Sequence, residues 1–565
     1  MGPSMKSPAI VILLIISFFS TPALQAKVTL TQSTFKWKVY NHSINADHSL
    51  SHGPDYNSII DKDFKSYILE NEFLKITLVP EFGGRIVSMI YKPTGHEELY
   101  HPQTGHPQGH GDGSFYFDWL MVLGGINPTF STAEHGKFWF LPWKTEIVKE
   151  TDSCVSIQMS QVDTIDFSKR PQRFGSYVKT GITCDFIVSL SDGKASTDIK
   201  VILTNPGSNS QPYEYWTCTA MAPGSNPADP RITGNAELHI PVDKVRIVDD
   251  WCQTIKTIDP SLGNNFYTFN KLRYFKNWTD MGIAYAPEDF ALNYWGVINH
   301  DDNRNEGLIR VSENKETKGV KIWSWQYQTA ISNNPLKNGL MHQPFFEVWG
   351  GTTDRFFKQV QLAAGATKEW VEYYSPIVGI DSITHASKDV ILKCKTNKKS
   401  YDGKSDTNLI VTCNLFSIVP HDGVILRLQF QGANTEYLAY TKEITPDMTN
   451  GNSVEIKIPC SEIYNGFTGV HLVVTNSKKY ELIKVTINGL QFVNCSELPF
   501  SAINAFNNHG VQNAHLKNYP AQVYTTSGRR VETKSSKNIQ NMLLPQGVYF
   551  VRSRNGTIEK VIQTK

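Results

Sequence analysis

Pro344-Phe345-Phe346-Glu347-Val348-Trp349-Gly350-Gly351 places one carboxylate among three aromatic rings and ends on two glycines. An apolar-alternating run follows, Phe356-Phe357-Lys358-Gln359-Val360-Gln361-Leu362, and then Gly365-Ala366-Thr367-Lys368-Glu369-Trp370. The stretch reads as the end of an apolar strand whose glycines let a ligand come close to the backbone. A glutamate in that position is a candidate for proton transfer or sugar binding.

Working outward, the pattern from Lys144 to about Gly379 is strand after strand, punctuated by Gly, Pro, Asn and Asp. Clear examples are Gly181 to Leu190 and Thr197 to Asn205. Further back, Ser66 to Pro80 alternates apolar and polar residues, and Gly83-Gly84 turns the chain into Arg85 to Tyr91. Long amphipathic helical stretches are scarce. Many short strands separated by turn residues predict an all-β fold, with a large sandwich over 66–379. Residues 27–65 are polar, carry little pattern and are expected to form an entry strand or arm.

At 565 residues the chain exceeds one ordinary domain. Near Asp381 the strands shorten and no catalytic-looking cluster remains. Residues 381–497 read as a small β-sandwich, 498–517 as a linker rich in Asn, His and Ala, and 518–565 as a short set of strands with turn glycines. The first 26 residues read as a secretory signal: Lys6, the apolar run Ala9 to Ile16, and small residues from Ala23 to Ala26. That run is too short for a membrane span, and no other segment is long enough. The net charge of +2 implies neither nucleic-acid binding nor attraction to a membrane surface. Eight cysteines in an exported chain permit disulfides, but their wide spacing also suits buried thiols, and no C-x-x-C pair marks a zinc or redox motif.

Four further stretches carry candidate chemistry. His96, His101, His106 and His110 lie in a Pro/Gly loop, but their spacing does not preorganise a metal site, so no metal and no cofactor is expected. Glu134-His135, between glycine-containing turns, is a candidate acid/base element. Tyr213-Glu214-Tyr215-Trp216-Thr217 packs aromatic rings around a second carboxylate. In Gly319 to Trp325, period-two alternation sets Trp323 and Trp325 on one face. Aromatic content of 12% supplies rings that can stack on sugars, although β-rich proteins carry many aromatics in any case.

The C-terminal blocks Tyr524 to Val531 and Leu544-Pro545-Gln546-Gly547-Val548-Tyr549 resemble the sorting domain of the type IX secretion system of Bacteroidetes. This implies export across the outer membrane, the secretion machinery as a partner, and release or anchoring at the cell surface. Residues 66–379 resemble the galactose mutarotase-like supersandwich, and more closely a family of unknown function within it. The likeness rests on Asn71 to Ile90 with Gly83-Gly84-Arg85; on Gly124-Gly125-Ile126 with Glu134-His135-Gly136; on Thr204-Asn205 with Tyr213 to Thr217; and on Lys321 to Trp325 with Pro344 to Gly351. It implies that Glu347 occupies the position of the mutarotase general base. The partner histidine is unmatched, since that place reads Tyr213-Glu214-Tyr215-Trp216, which argues against simple aldose epimerisation.

Two readings follow. One is an exported carbohydrate-active enzyme, a hydrolase or lyase acting on a polysaccharide or oligosaccharide. In it Glu347, His135 and Glu214 are the catalytic candidates, while Arg85, Trp216, Trp323, Trp325, Lys321 and Tyr177 bind substrate. The other is a non-catalytic surface glycan-binding protein of a polysaccharide-utilisation system. Convergence of Glu347, His135 and the tryptophans on one concave face would favour the enzyme.

Overall fold

The computed structural model describes residues 27–43 and 55–496, apart from 106, 109–119, 122–123, 133, 170–173, 302–303, 314, 325–344, 406–407 and 433–435, together with strand residues 522–525, 530–531, 547–552 and 558–563. The described residues form strands, short 3-10 turns and loops, with no α-helix among them. Among the described residues no helix is long and apolar enough to cross a membrane. The all-β sandwich expected from the alternation is what forms.

Two large sheets face each other. The first has 14 strands, and its middle runs Gly282–Tyr285, Gly319–Ser324, Phe346–Gly351, Tyr215–Ser225, His96–Leu99, Arg85–Tyr91 and Leu74–Val79. The second has 8 antiparallel strands, with Thr183–Ser191, Thr197–Thr204, Thr367–Ile377 and Glu306–Ser312 at its centre. Strand Thr183–Ser191 alternates half-buried and buried residues without a break, as its sequence pattern demands.

The polar segment after residue 27 enters the fold as a strand. Thr29–Asn41 and Asp55–Glu70 pair antiparallel and extend the large sheet. The alternation read from Ser66 to Pro80 is broken at Asn71, whose Oδ1 accepts from the backbone N–H of Phe73 and Leu74. That side-chain turn separates Asp55–Glu70 from Leu74–Val79.

Strand parity sorts side chains between two environments. Thr217 and Thr219 point toward the second sheet, where Thr217 Oγ1 donates to Glu372 at 2.9 Å and Thr219 Oγ1 lies 3.0 Å from the Tyr374 hydroxyl. Arg310 and Glu372 form a fully buried ion pair there, 3.0 Å apart, under Gly350. The alternate residues Trp216, Cys218, Glu347 and Trp349 therefore face away from the second sheet. That outer face would ordinarily be wet. Here the loop through 131–143 covers it, and the face is buried.

A second apolar core lies between two four-stranded sheets over 385–488. It touches the large sandwich through the Tyr91 hydroxyl on Met448 O at 2.6 Å and through Phe73 against His421. Cys460 and Cys495 are bridged there, while Cys154, Cys184, Cys218, Cys252, Cys394 and Cys413 are free. The described C-terminal residues form one four-stranded sheet. The signal segment and the 498–517 linker lie outside the described residues.

Candidate functional site

The site is built on three adjacent strands of the large sheet. In the pairing register Glu347 stands opposite Trp323 on one side and Ala220 on the other, and Trp349 stands opposite Lys321 and Cys218. Residues paired across a sheet share a face, so Glu347, Trp349, Lys321, Trp323 and Cys218 are brought together. Glycines make room for them. An added Cβ on Gly351 would lie 2.1 Å from the Trp216 ring, and one on Gly319 would lie 2.7 Å from it.

The 131–143 loop contributes His135. Gly136, with φ at 75°, lets this loop turn against Phe130. Lys137 anchors it through a fully buried ion pair to Asp163 at 2.9 Å and a bond to Val178 O. Arg85 ties it to the sheet: Nε donates to Phe82 O at 2.8 Å, one terminal nitrogen to Gly124 O at 3.0 Å and the other to Trp139 O at 2.9 Å. The His135 ring consequently stacks on Trp139, 4.0 Å between centroids, and meets Trp349 edge-on at 5.0 Å.

A His135 ring nitrogen, Cys218 Sγ and a Glu347 carboxylate oxygen all lie within 4.8 Å of one another. Two groups at that separation can share one oxygen between them, each within hydrogen-bond reach. Glu347 accepts from Trp349 Nε1 at 3.0 Å and from the Cys218 thiol. Burial pushes its carboxyl up to about 7, against the pull of Lys321, Trp349, Cys218 and Arg85. Burial, reinforced by Lys321 and Arg85, holds the His135 imidazole well below its ordinary value and so neutral. Burial brings the Lys321 ammonium down to about 8, although Glu347 and Cys218 favour its charge. The Cys218 thiol is pushed up by burial and by Glu347, which keeps it protonated. His135, Cys218 and Glu347 are also chemically able to offer three donors to one metal ion, but the two cations beside them oppose it electrostatically.

Glu214 lies apart from this trio. Its carboxylate accepts from the Tyr177 hydroxyl at 2.5 Å and from Trp216 Nε1 at 2.9 Å, and burial pushes it up to about 8. Tyr177 and Trp216 are thus buried partners of Glu214. Trp323 is half-buried against Phe345, and Trp325 lies outside the described residues. In the histidine-rich loop, His96 is 2.8 Å from Glu306, and His101 sits edge-on to Phe35 and Trp37 with burial bringing its pKa down to about 4. His106 and His110 lie outside the described residues.

Cys218 was not among the sequence candidates. A cysteine in an apolar strand looks like core, but it shares the parity of Trp216, which would have placed it on the same face as the neighbouring strand's glutamate. Trp139, the ring under His135, carried no signal either, because only the loop's tertiary course sets it there.

Among solved structures, a TPR-domain containing protein from Parabacteroides distasonis is similar at 18% identity over 62% of this chain and 55% of that one, with a TM-score of 0.48. This chain thus spans about half the length of that relative. A putative aldose 1-epimerase from Klebsiella pneumoniae is similar at 12% identity, over 61% of this chain and 91% of that one, TM-score 0.40. A galactose mutarotase-like protein from Lactobacillus casei is similar at 14% identity, over 55% and 99%, TM-score 0.35. The family model described as a domain of unknown function, DUF5107, matches residues 54–377, more than half of the chain and the whole of the segment that builds the site, and the protein belongs to that family.

Proposed function

We propose that this protein is an exported carbohydrate-active enzyme that degrades a polysaccharide or its oligosaccharides, with Glu347 as the group that moves the proton. The observation that carries this reading is the Glu347 carboxyl itself. It is buried, held near neutrality at about 7, and within 4.8 Å of His135. A group that titrates near working pH is suited to both take and return a proton. The neutral His135 imidazole serves as its hydrogen-bonding neighbour at the sugar oxygen. Trp323, half-buried on the neighbouring strand, supplies a ring beside it.

Export by the N-terminal signal and the type IX sorting tail remains part of this reading. The Cys460–Cys495 bridge supports it, since structural disulfides belong to oxidising compartments. The test is mass spectrometry of products after the mature protein meets a panel of neutral and acidic polysaccharides. Ends that have gained water indicate a hydrolase, and unsaturated ends that have not indicate a lyase. Retention on a polymer without new ends would instead make this a glycan-binding protein. Unchanged turnover in a folded Glu347→Gln variant would remove Glu347 from the chemistry.

A further inference from the structure

The described residues include four cationic side chains that are 2% exposed or less, and three of them are held by hydrogen bonds, with Arg310 Nη1 alone left over. Lys137 is bonded to Asp163 and Val178 O, Arg85 to three main-chain carbonyls, and Arg310 to Glu372 and Thr317. Lys321 is the exception. It is 2% exposed, yet its ammonium makes no hydrogen bond and no ion pair with any described residue. Its nitrogen rests 3.8 Å from the Trp349 ring centroid and 4.2 Å from that of Phe356.

Two aromatic faces favour a cation but do not replace the hydrogen bonds an ammonium loses on leaving water. Buried charges are ordinarily paired, and an orphan beside a reactive cluster asks for a partner that arrives with the ligand. The anionic groups around Lys321 do not fill that place. Glu347 spends its carboxylate on Trp349 and Cys218. Glu134 on the loop and Asp249 after strand Lys244–Arg246 favour the charge of Lys321 electrostatically, after Glu347 and Cys218.

We propose that Lys321 receives the carboxylate of an acidic sugar, so that the site takes uronate-containing oligosaccharides in preference to neutral ones. This rests on the sugar reading above and narrows it. Lys321 presents up to three N–H donors, two flanks are fenced by rings, and Glu347 lies on the adjacent strand.

The same geometry sets the pH response. Anion binding is favoured while Lys321 is charged and Glu347 is protonated; His135 is neutral throughout and Cys218 stays a thiol. The complex therefore binds more protons than the free protein, and affinity falls as pH rises through the range of about 7 to 8.

The experiment is isothermal titration of the full mature protein with oligogalacturonides and glucuronate-containing oligosaccharides, against galactose and glucose oligomers of equal length. The acidic ligands are expected to bind roughly tenfold tighter or more, the energy of one charge-assisted hydrogen-bonded contact. That preference is expected to shrink from about pH 6 to about pH 9. Lys321→Met removes the preference and Lys321→Arg keeps most of it, with thermal melting confirming that both fold. Equal binding of acidic and neutral sugars, or a preference that survives Lys321→Met, overturns this inference and leaves the sugar reading standing. No binding of either class overturns both.

Discussion

Replacing Glu347 by glutamine separates the cost of this carboxyl to the fold from its use in the site. Below about pH 4.5 the group is protonated both folded and unfolded and has no effect. Between its ordinary value of 4.5 and about 7 it ionises in the unfolded chain but not in the folded one, so stability drains away as pH rises through that window. At about 1.4 kcal/mol per pH unit the loss reaches about 3 kcal/mol above pH 7. Glutamine keeps the shape and the acceptor for Trp349 Nε1 but cannot ionise. Part of the gain is offset, because Lys321 loses the anion that favours its charge, so the net gain is smaller than that. Glu347→Gln is therefore expected to melt a few degrees above the parent at about pH 8 and level with it at about pH 5. Tryptophan fluorescence is the right assay, because all 12 tryptophans precede residue 381 and report on the large sandwich alone. If the variant is less stable than the parent at both pH values, Glu347 is ionised and paired in the folded protein, and the account of the site as a near-neutral proton carrier is wrong.

Three other perturbations test the scaffold. Arg85→Lys cannot reach Phe82 O, Gly124 O and Trp139 O at once, so at least two buried carbonyls lose their donor; a loss of about 3 kcal/mol in denaturant unfolding is expected, together with loss of sugar binding as His135 is released. Gly351→Ala drives a methyl to 2.1 Å from the rigid Trp216 ring, and a destabilisation of about 3 kcal/mol is expected by the same assay; a neutral effect would mean that Trp216 is free to move. The Cys460→Ser/Cys495→Ser pair opens a closure of 35 residues, worth about 3 to 4 kcal/mol, and calorimetry should show the small sandwich melting earlier while the tryptophan-reported transition stays in place.

The strands themselves were legible in the sequence because period-two burial is local: Thr183–Ser191 and Thr197–Thr204 carry unbroken alternation and pair with each other. Glu347 stood out for the same local reason, a charge in an apolar run that ends on glycines. The arm was harder to read, since Thr29–Asn41 is mostly exposed along its length and carries little apolar pattern despite its long pairing.

What needed the tertiary structure was the choice of neighbours. Parity tells which residues of one strand share a face, but not which strand lies beside it or whether the outer face is covered. Only the register that sets Trp349 between Lys321 and Cys218, and the loop that Arg85 and Lys137 hold over it, join Glu347 to a histidine 212 positions earlier (347 − 135). The same long-range packing gave Glu214 to Tyr177 and Trp216, turned Arg85 from a free cation into a strut, and left Lys321 buried with its charge unspent. Those outcomes depend on desolvation and on contacts between residues far apart in the chain, and neither is written in any short window of sequence.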